Sequence, residues 1–598
     1  MTETCDAASI VNQWTQAWLT AARAESEERL VDLFLDDSWW RDILTVTWDL
    51  RTFRGSRQIA AGLIATGAGC TIVGMELRED EPPVIASGAP SGDSIEAFLH
   101  LETDVAVGSV VLRLRDQGDG VWKAWTLLTA MDELKGHDAR IGHRRPLGND
   151  VHESGAIPWH LQREDQRSFQ FEEPTVLVVG AGQGGLMIAA QLETRGVRTL
   201  VIEQNHRVGD NWRKRYESLV LHDPVWADHM PFVKFPESWP VYTPKNKLAD
   251  WLEAYVAALD LDVWTGTTLG RAAFDPATQT WTVELTMQDG SLRTLRPRHV
   301  VLATGAVGDA VIPSFPGMET FSGKVHHSST ETTVDVPAGT QVVVIGACNS
   351  AHDIAQEYFR NGAAVTMVQR STTYVMSQEK GIPVLFASLY SEDGPELWKS
   401  DLINSSFPYS LQLEFAKQQT IQIAELDSAL LRGLAKAGFQ VGLGPAGEDD
   451  GLMGRALRRA GGYYIDVGCS QLIVDGKIAV KSGSGVREFT PNGVVLEDGT
   501  SLDAAVVVLA TGFANMRETA RRLFGDAVAD RCGLVWDMDD EGEIKTIWRP
   551  SGHPNFWFMG GTLLAARIYS KYLALQILGR EIAVIPDAVP LATRAAVP

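Results

Sequence analysis

Short apolar runs, each closed by glycine or a polar turn, alternate with stretches of helical spacing from about residue 172 onward. That alternation predicts an α/β architecture built on parallel strands. The first unit is V-L-V-V-G-A-G-Q-G-G, residues 176–185. Its apolar start suits a strand buried on both faces. The spacing then predicts a helix over 186–195, stopped by Gly196, and a strand over Thr199–Ile202. A second unit opens at Gln341–Ile345, turns through 346–351, and continues as a helix over 353–359 and a strand over 364–368. Two later buried runs, Val506–Leu509 and 556–559, are expected to return to the first unit, ahead of a helix over 563–578. Between the two units, Pro224, Pro231, Pro236, Pro240 and Pro244 forbid a long regular element. This is an ordered, aromatic-rich loop that gives way to an amphipathic helix over Lys245–Ala258. Residues 372–470 read as less regular. Their aromatics Phe386, Tyr390, Trp398, Phe407, Tyr409 and Phe415 serve either as core or as a substrate wall.

The pattern before residue 135 is different. Helices over 8–22 and 27–34 precede strands over 94–102, 109–115 and 122–129, which makes a small α+β module. A polar stretch with His143, Arg144 and Arg145 reads as a linker. The organisation expected is therefore 1–135 as the α+β module, 136–171 as linker and 172–335 as the first nucleotide domain. Residues 336–490 form the inserted second domain and 491–598 the return to the first.

Composition changes the picture in two ways. A net charge of -23 and a sequence pI of about 5.0 argue against nucleic acid as a partner. Five scattered cysteines, with no CxxC, fit a reducing cytoplasm and neither zinc nor a disulfide framework. Met1 is followed by no basic and apolar leader, and no apolar run reaches the length of a membrane span.

The candidate chemistry lies in the turns. Gly180 permits the tight turn, Gly182 lets backbone approach a pyrophosphate, and Gly184 and Gly185 let the helix pack on the strand. Glu203, at the end of the next strand, is placed to bind a ribose 2'-OH, so this unit suits FAD or NAD and not NADP. Gly346, Asn349 and Ser350 form the second turn, but there the following strand ends in Gln369 and Arg370. An arginine at that place accommodates a 2'-phosphate, hence NADPH, with NADH left open because Cys348 stands where the middle glycine belongs. Thr304 and Gly305, Thr511 and Gly512, and Gly560 and Gly561 end apolar strands, where they either meet bound nucleotide or only turn the chain.

In this order the elements resemble the flavin-containing monooxygenases, most closely the branch of indole-3-pyruvate (YUCCA-type) enzymes. The specific matches are W-x-x-R-Y-x-x-L-x-L-H-x-P, from Trp212 through His222 to Pro224, and P-V-Y-T-P-K-N-K-L-A-D-W-L-E-A-Y at 240–255. The family signature is met by Phe321, Gly323 and His327, but its last position is Glu331 in place of an aromatic residue. Residues 36–55 resemble the nuclear transport factor 2 (SnoaL-like) family, with Asp42, Asp49 and His100 as acid/base candidates or ordinary structural polar groups. The fold class expected is thus two Rossmann-like dinucleotide domains preceded by an NTF2-like α+β domain.

The resemblance implies FAD, NADPH, O2 and a small organic substrate. Oxygen transfer would run through a flavin C4a-(hydro)peroxide, as N/S-oxygenation, Baeyer-Villiger oxidation or oxidative decarboxylation of a 2-oxo acid. It implies Trp212 beside FAD and His222 near the flavin ring as the catalytic candidate. A homodimer through the N-terminal module is an open assembly. Two rivals are weighed. A flavin disulfide reductase needs paired cysteines that are absent. A flavin-bearing scaffold protein would explain Cys348 and Glu331 as lost turnover.

Overall fold

Four apolar residues with no polar interruption can be buried only by covering both faces of a strand, and the first parallel sheet meets that demand. Its five strands run Val263–Trp264, Thr199–Ile202, Val176–Val179, His299–Leu302 and Phe556–Phe558, each pair parallel. The computed structural model describes residues 6–66, 71–86, 93–118, 120–148, 157–305, 308–330, 334–386, 388–444 and 449–585. On the sheet packs the helix Gln183–Thr194, which starts earlier than expected, and against that helix lies the long helix Leu563–Glu581. The helix Lys245–Ala258 has the bounds that its spacing predicts.

The second parallel sheet runs Lys324–His327, Val506–Leu509, Gln341–Ile345, Ala364–Gln369 and Ala479–Ser482. Here one expectation is corrected. Val506–Leu509 does not return to the first sheet; it lies between Lys324–His327 and Gln341–Ile345, in register with both. An apolar strand is satisfied by either sheet, so its own residues do not choose between them. Phe556–Phe558 does return, pairing with His299–Leu302.

Where an irregular region was expected, the described residues carry five helices: Gln378–Phe386, Leu397–Ser406, Tyr409–Leu426, Ser428–Lys436 and Gly451–Arg459. The presumed linker also carries a helix, Trp159–Ser168.

The N-terminal module has a sheet ordered Leu50–Arg54, Phe34–Ile43, Trp122–Leu134, Ala106–Asp116, Ser94–Thr103 and Ile72–Leu77, with Val84–Ala86 beside Ser94–Thr103. The helices Ala7–Arg23, Glu27–Asp32 and Ser56–Thr66 accompany it. Trp14, Trp18, Leu30 and Trp40 form a core cluster of this module's own. Ile43, Phe98, Leu128 and Met131 instead belong to the same cluster as the first parallel sheet and Tyr569. The module is therefore packed onto the rest of the chain rather than tethered to it.

Candidate functional site

The glycines of residues 180–185 have separate physical tasks. Gly180 sits at φ 108°, where a Cβ would lie 2.7 Å from the Ala303 carbonyl oxygen. At Gly185 an added Cβ would lie 1.9 Å from the Gly180 carbonyl oxygen. A Cβ at Gly184 would lie 3.3 Å from Gly560 Cα, so a side chain there would crowd that backbone. Gly182 is the N-cap of Gln183–Thr194 and brings no side-chain cap, so the first N–H groups of that helix remain available to an anion. All this happens on the wall of a cleft of about 750 Å³.

Glu203 borders the same cleft and is 8% exposed. Its Oε2 accepts from Ala181 N at 3.0 Å and its Oε1 from Asn205 N and Nδ2 at 2.8 and 2.7 Å. These bonds hold the carboxylate rigidly beside the glycine turn, with lone pairs left for a ribose hydroxyl. Thr304 Oγ1 and Trp212 Nε1 are buried polar atoms without a partner, and both residues border the cleft. Buried donors in that state mark places where a ligand completes the hydrogen bonding. Gly305, Gly560 and Gly561 border it as well, and Thr562 caps the helix Leu563–Glu581 by accepting from Ala565 N. The donor set and the glycine cradle thus fit a flavin dinucleotide.

The second unit reaches this cleft through Asn349, whose Oδ1 accepts from Ile465 N at 2.9 Å. Ser350 hydrogen-bonds Tyr216 instead of facing the cleft. Gly346, at φ 138°, lies behind it, with the Ala510 carbonyl oxygen 2.5 Å from where a Cβ would be. Arg370 is exposed immediately after Ala364–Gln369. The Cys348 thiol faces the backbone of Gly462 and Tyr463, and burial raises its pKa, so it is a poor redox nucleophile.

Three expectations need relocation. Thr511 Oγ1 donates to the Val311 carbonyl and Gly512 O meets His327 Nε2 at 3.1 Å, so neither borders the cleft, because their strand belongs to the second sheet. His327 and Gly323 brace that sheet too: a Cβ at Gly323 would lie 2.3 Å from the Ala505 carbonyl oxygen. Glu331 lies outside the described residues. None of the six aromatics from 386 to 415 borders the cleft, which is walled here by Leu452, Ala456, Tyr463 and Ile465. Tyr409 turns to Tyr569 at 2.6 Å, and Phe407 lies under Arg113 of the N-terminal module.

His222 borders the cleft, with Nε2 3.9 Å from Asp353 Oδ2. Burial lowers its pKa to about 4, so it is a neutral imidazole at physiological pH. Asp223 and Asp228, which sequence reasoning passed over, border the cleft beside it. Their only signal was two acids in a loop rich in proline and aromatics.

In the N-terminal module, Asp42, Asp49 and His100 do not converge. Asp42 is fully buried and accepts from Thr129 Oγ1, Thr47 N and Val46 N. Asp49 pairs with Arg549 at 2.7 Å, and His100 is exposed on Ser94–Thr103. These are structural roles.

A family model described as pyridine nucleotide-disulphide oxidoreductase matches residues 177–382. The chain is 33% identical over 347 residues to an indole-3-pyruvate monooxygenase YUCCA1 of Oryza sativa subsp. japonica, covering 57% of this chain and 77% of that protein. It is 27% identical over 402 residues to the probable indole-3-pyruvate monooxygenase YUCCA9 of Arabidopsis thaliana, covering 67% and 85%. Among solved structures, an ε-caprolactone-bound cyclohexanone monooxygenase aligns with a TM-score of 0.49 at 17% identity, over 68% of this chain and 88% of that one. A flavin-containing monooxygenase from Stenotrophomonas maltophilia aligns with a TM-score of 0.45 at 18% identity, over 68% and 98%.

Proposed function

The chain belongs to the flavin monooxygenase family and is a flavin-dependent oxidoreductase; from that premise we propose that it uses FAD and NADPH to insert one oxygen atom of O2 into a small organic substrate. The observation that carries the reading is that both glycine turns contribute to one cleft: Gly180 and Gly182 from the first unit and Asn349 from the second border it together. Two nucleotides held by these turns would share one cleft, the proximity that hydride transfer requires. When bound, FAD supplies the chemistry, taking electrons from NADPH and passing one oxygen atom to the substrate while the other leaves as water.

The chain's residues bind, orient and exclude water. The uncapped start of Gln183–Thr194 holds the flavin dinucleotide's phosphates and Glu203 its ribose; Trp212 Nε1 and Thr304 Oγ1 donate to it. Asn349 and the exposed Arg370 serve the second nucleotide, and the arginine favours one bearing a 2'-phosphate. His222, kept neutral by burial, presents a hydrogen bond at the ring end of the cleft.

We read the N-terminal module as NTF2/SnoaL-like, on its helices and mixed sheet. One face of that sheet is covered by the chain's own 398–409 and 541–571, so a homodimer through the module would use another face. Among the described residues no helix is long and apolar enough to cross a membrane.

The test is anaerobic mixing of the FAD-loaded protein with NADPH or NADH, followed by oxygen. NADPH is expected to bleach the flavin at least about tenfold faster than NADH, the discrimination that a phosphate-pairing arginine supplies. Failure of both coenzymes would sink the NAD(P)H-dependent monooxygenase reading.

A further inference from the structure

Residues 212–222 follow the first nucleotide unit in the chain and are nevertheless gripped by the second. Tyr216 and Leu219 belong to one core cluster with Val342 and Val344 of the second sheet and Ala351 and Ile354 of its helix, while Trp212 packs against both this cluster and that of the first sheet. The polar contacts repeat the pattern. On the helix Asn349–Arg360, Ser350 and Asp353 both hydrogen-bond the Tyr216 phenol, with Tyr216 Oη donating to Asp353 Oδ2 at 2.7 Å. One turn on, Glu357 Oε2 accepts from Ser218 N and Oγ at 3.2 and 2.7 Å. Positions 350, 353 and 357 are spaced i, i+3 and i+7, which keeps them on one side of the helix. From the other side the first unit holds the same segment, where the buried Lys245 donates from Nζ to the Arg213 and Arg215 carbonyls at 2.9 and 2.6 Å.

The segment in turn reaches the cleft. Trp212, Arg215 and His222 border it, whereas Tyr216, Ser218, Asp353 and Glu357 stand behind it. The helix that grips the segment also begins there: Cys348 gives its first turn no side-chain cap, and Asn349 borders the cleft. A nucleotide on that turn and the hold on Tyr216 therefore use adjacent residues, Asn349 and Ser350.

We propose that Tyr216 and Asp353 are positioning residues that couple the two nucleotide sites, a coupling that rests on the two-coenzyme part of the monooxygenase reading. With the second nucleotide in place, the helix Asn349–Arg360 seats residues 212–222, and the seated segment holds the flavin dinucleotide through Trp212. Tyr216 is 2% exposed and Asp353 6%, so a phenol and a carboxyl that part in this interior lose a hydrogen bond that water does not replace. The segment thus has one satisfied seat. His222, at its far end, is fixed from the same direction: Nε2 lies 3.9 Å from Asp353 Oδ2, and the His222 carbonyl accepts from Gln378 Nε2 at 3.3 Å. Both nucleotides bind the seated arrangement, so each favours the other, and by linkage the factor in affinity is the same in both directions.

The experiment follows FAD release from the holoprotein, by the fluorescence of free flavin after dilution, without and with saturating NADP+, beside calorimetric titration of the same protein with NADP+. In the wild type NADP+ is expected to slow release at least about fivefold. Tyr216→Phe and Asp353→Leu should bring that ratio below about twofold while still binding NADP+, and Asp353→Asn, which keeps an acceptor for Tyr216 Oη, should preserve it. Ser218→Ala, at an exposed position, should lower the ratio at least about twofold and carries the test where the buried variants lose FAD outright. Variants that release FAD faster by one factor with and without NADP+ would reveal a merely structural role and overturn the coupling. A wild-type ratio near one with NADP+ bound overturns the coupling alone, whereas a wild type that takes up no NADP+ removes the NADPH reading together with it.

Discussion

A single buried histidine links sequence to stability most directly. His352 is fully buried and stacks on Tyr464 with ring centroids 3.7 Å apart; its Nδ1 faces the Cys348 carbonyl oxygen at 3.1 Å. Its Nε2 has no partner, so a proton there would be a buried, unsolvated charge. Burial accordingly lowers its pKa to about 4. Because the folded value lies below the unfolded one, the unfolded chain binds more protons between the two. The stability is complete above the unfolded value and is lost as pH falls toward about 4. At about pH 5 this costs on the order of 2 kcal/mol. Thermal unfolding of His352→Phe against wild type from about pH 7.5 to 5 should show the gap between them moving in the variant's favour on acidification. Buried acids such as Asp353, raised to about 7, act in the opposite sense, and the comparison cancels them because both proteins carry them. A gap independent of pH would refute the titration argument.

At the scale of the element, the strand, turn and helix from 176 to 194 form one packed unit whose two key glycines fail for different reasons. A methyl group on Gly185 would drive into the Gly180 carbonyl, pushing the helix off the strand. Gly185→Ala should therefore lower stability by about 1–3 kcal/mol even without cofactor, and FAD content with it. A methyl on Gly182, which lines the cleft, meets only Asn211 Nδ2, at 3.4 Å. Gly182→Ala should keep the cofactor-free melting temperature within about 1–2 °C and still lose bound FAD. Flavin-to-protein ratio and melting temperature, measured together, separate the two. Equal behaviour of the variants in both measurements would contradict the assignment. Two of the later helices matter at this scale too, since Gly451–Arg459 walls the cleft while Tyr409–Leu426 reaches the N-terminal module through Tyr409.

Across the whole molecule, the N-terminal module and the first parallel sheet share apolar packing and a buried ionic centre. Arg41 pairs with Glu543 at 2.7 Å with both side chains 1% exposed. It also donates to the Ser405 carbonyl and Tyr569 Oη, while Thr52 Oγ1 donates to Glu543. Asp49 with Arg549 and Asp132 with Lys571 extend the contact. Removing one member leaves the other as an unpaired buried charge, so Glu543→Gln should cost about 3–5 kcal/mol in denaturant unfolding. The double variant Arg41→Met with Glu543→Leu should recover much of that loss, since no charge is stranded. A cost below about 1 kcal/mol for the single variant would mean that water reaches the centre and the module is loosely held.

What the sequence by itself determined is local. Apolar runs at Val176–Val179 and Gln341–Ile345, glycines whose backbone must pass positive φ, and the helical spacing of Lys245–Ala258 depend on near neighbours, so they were legible with their bounds nearly right. Gly180, Gly182, Glu203 and Asn349 are expected from fixed offsets to a strand or turn and Trp212 and His222 from the family resemblance, and all six line the cleft. Only the tertiary structure decided what depends on partners far along the chain. Val506–Leu509 satisfies either sheet, and register with Gln341–Ile345 chose the second, carrying Thr511 and Gly512 away from the cleft. Asp42 and Asp49 became structural through Thr129 and Arg549, and Asp223 and Asp228 became a pair on the cleft wall. A carboxylate's role follows from burial and from the charges around it, and no stretch of sequence contains those until the chain has folded.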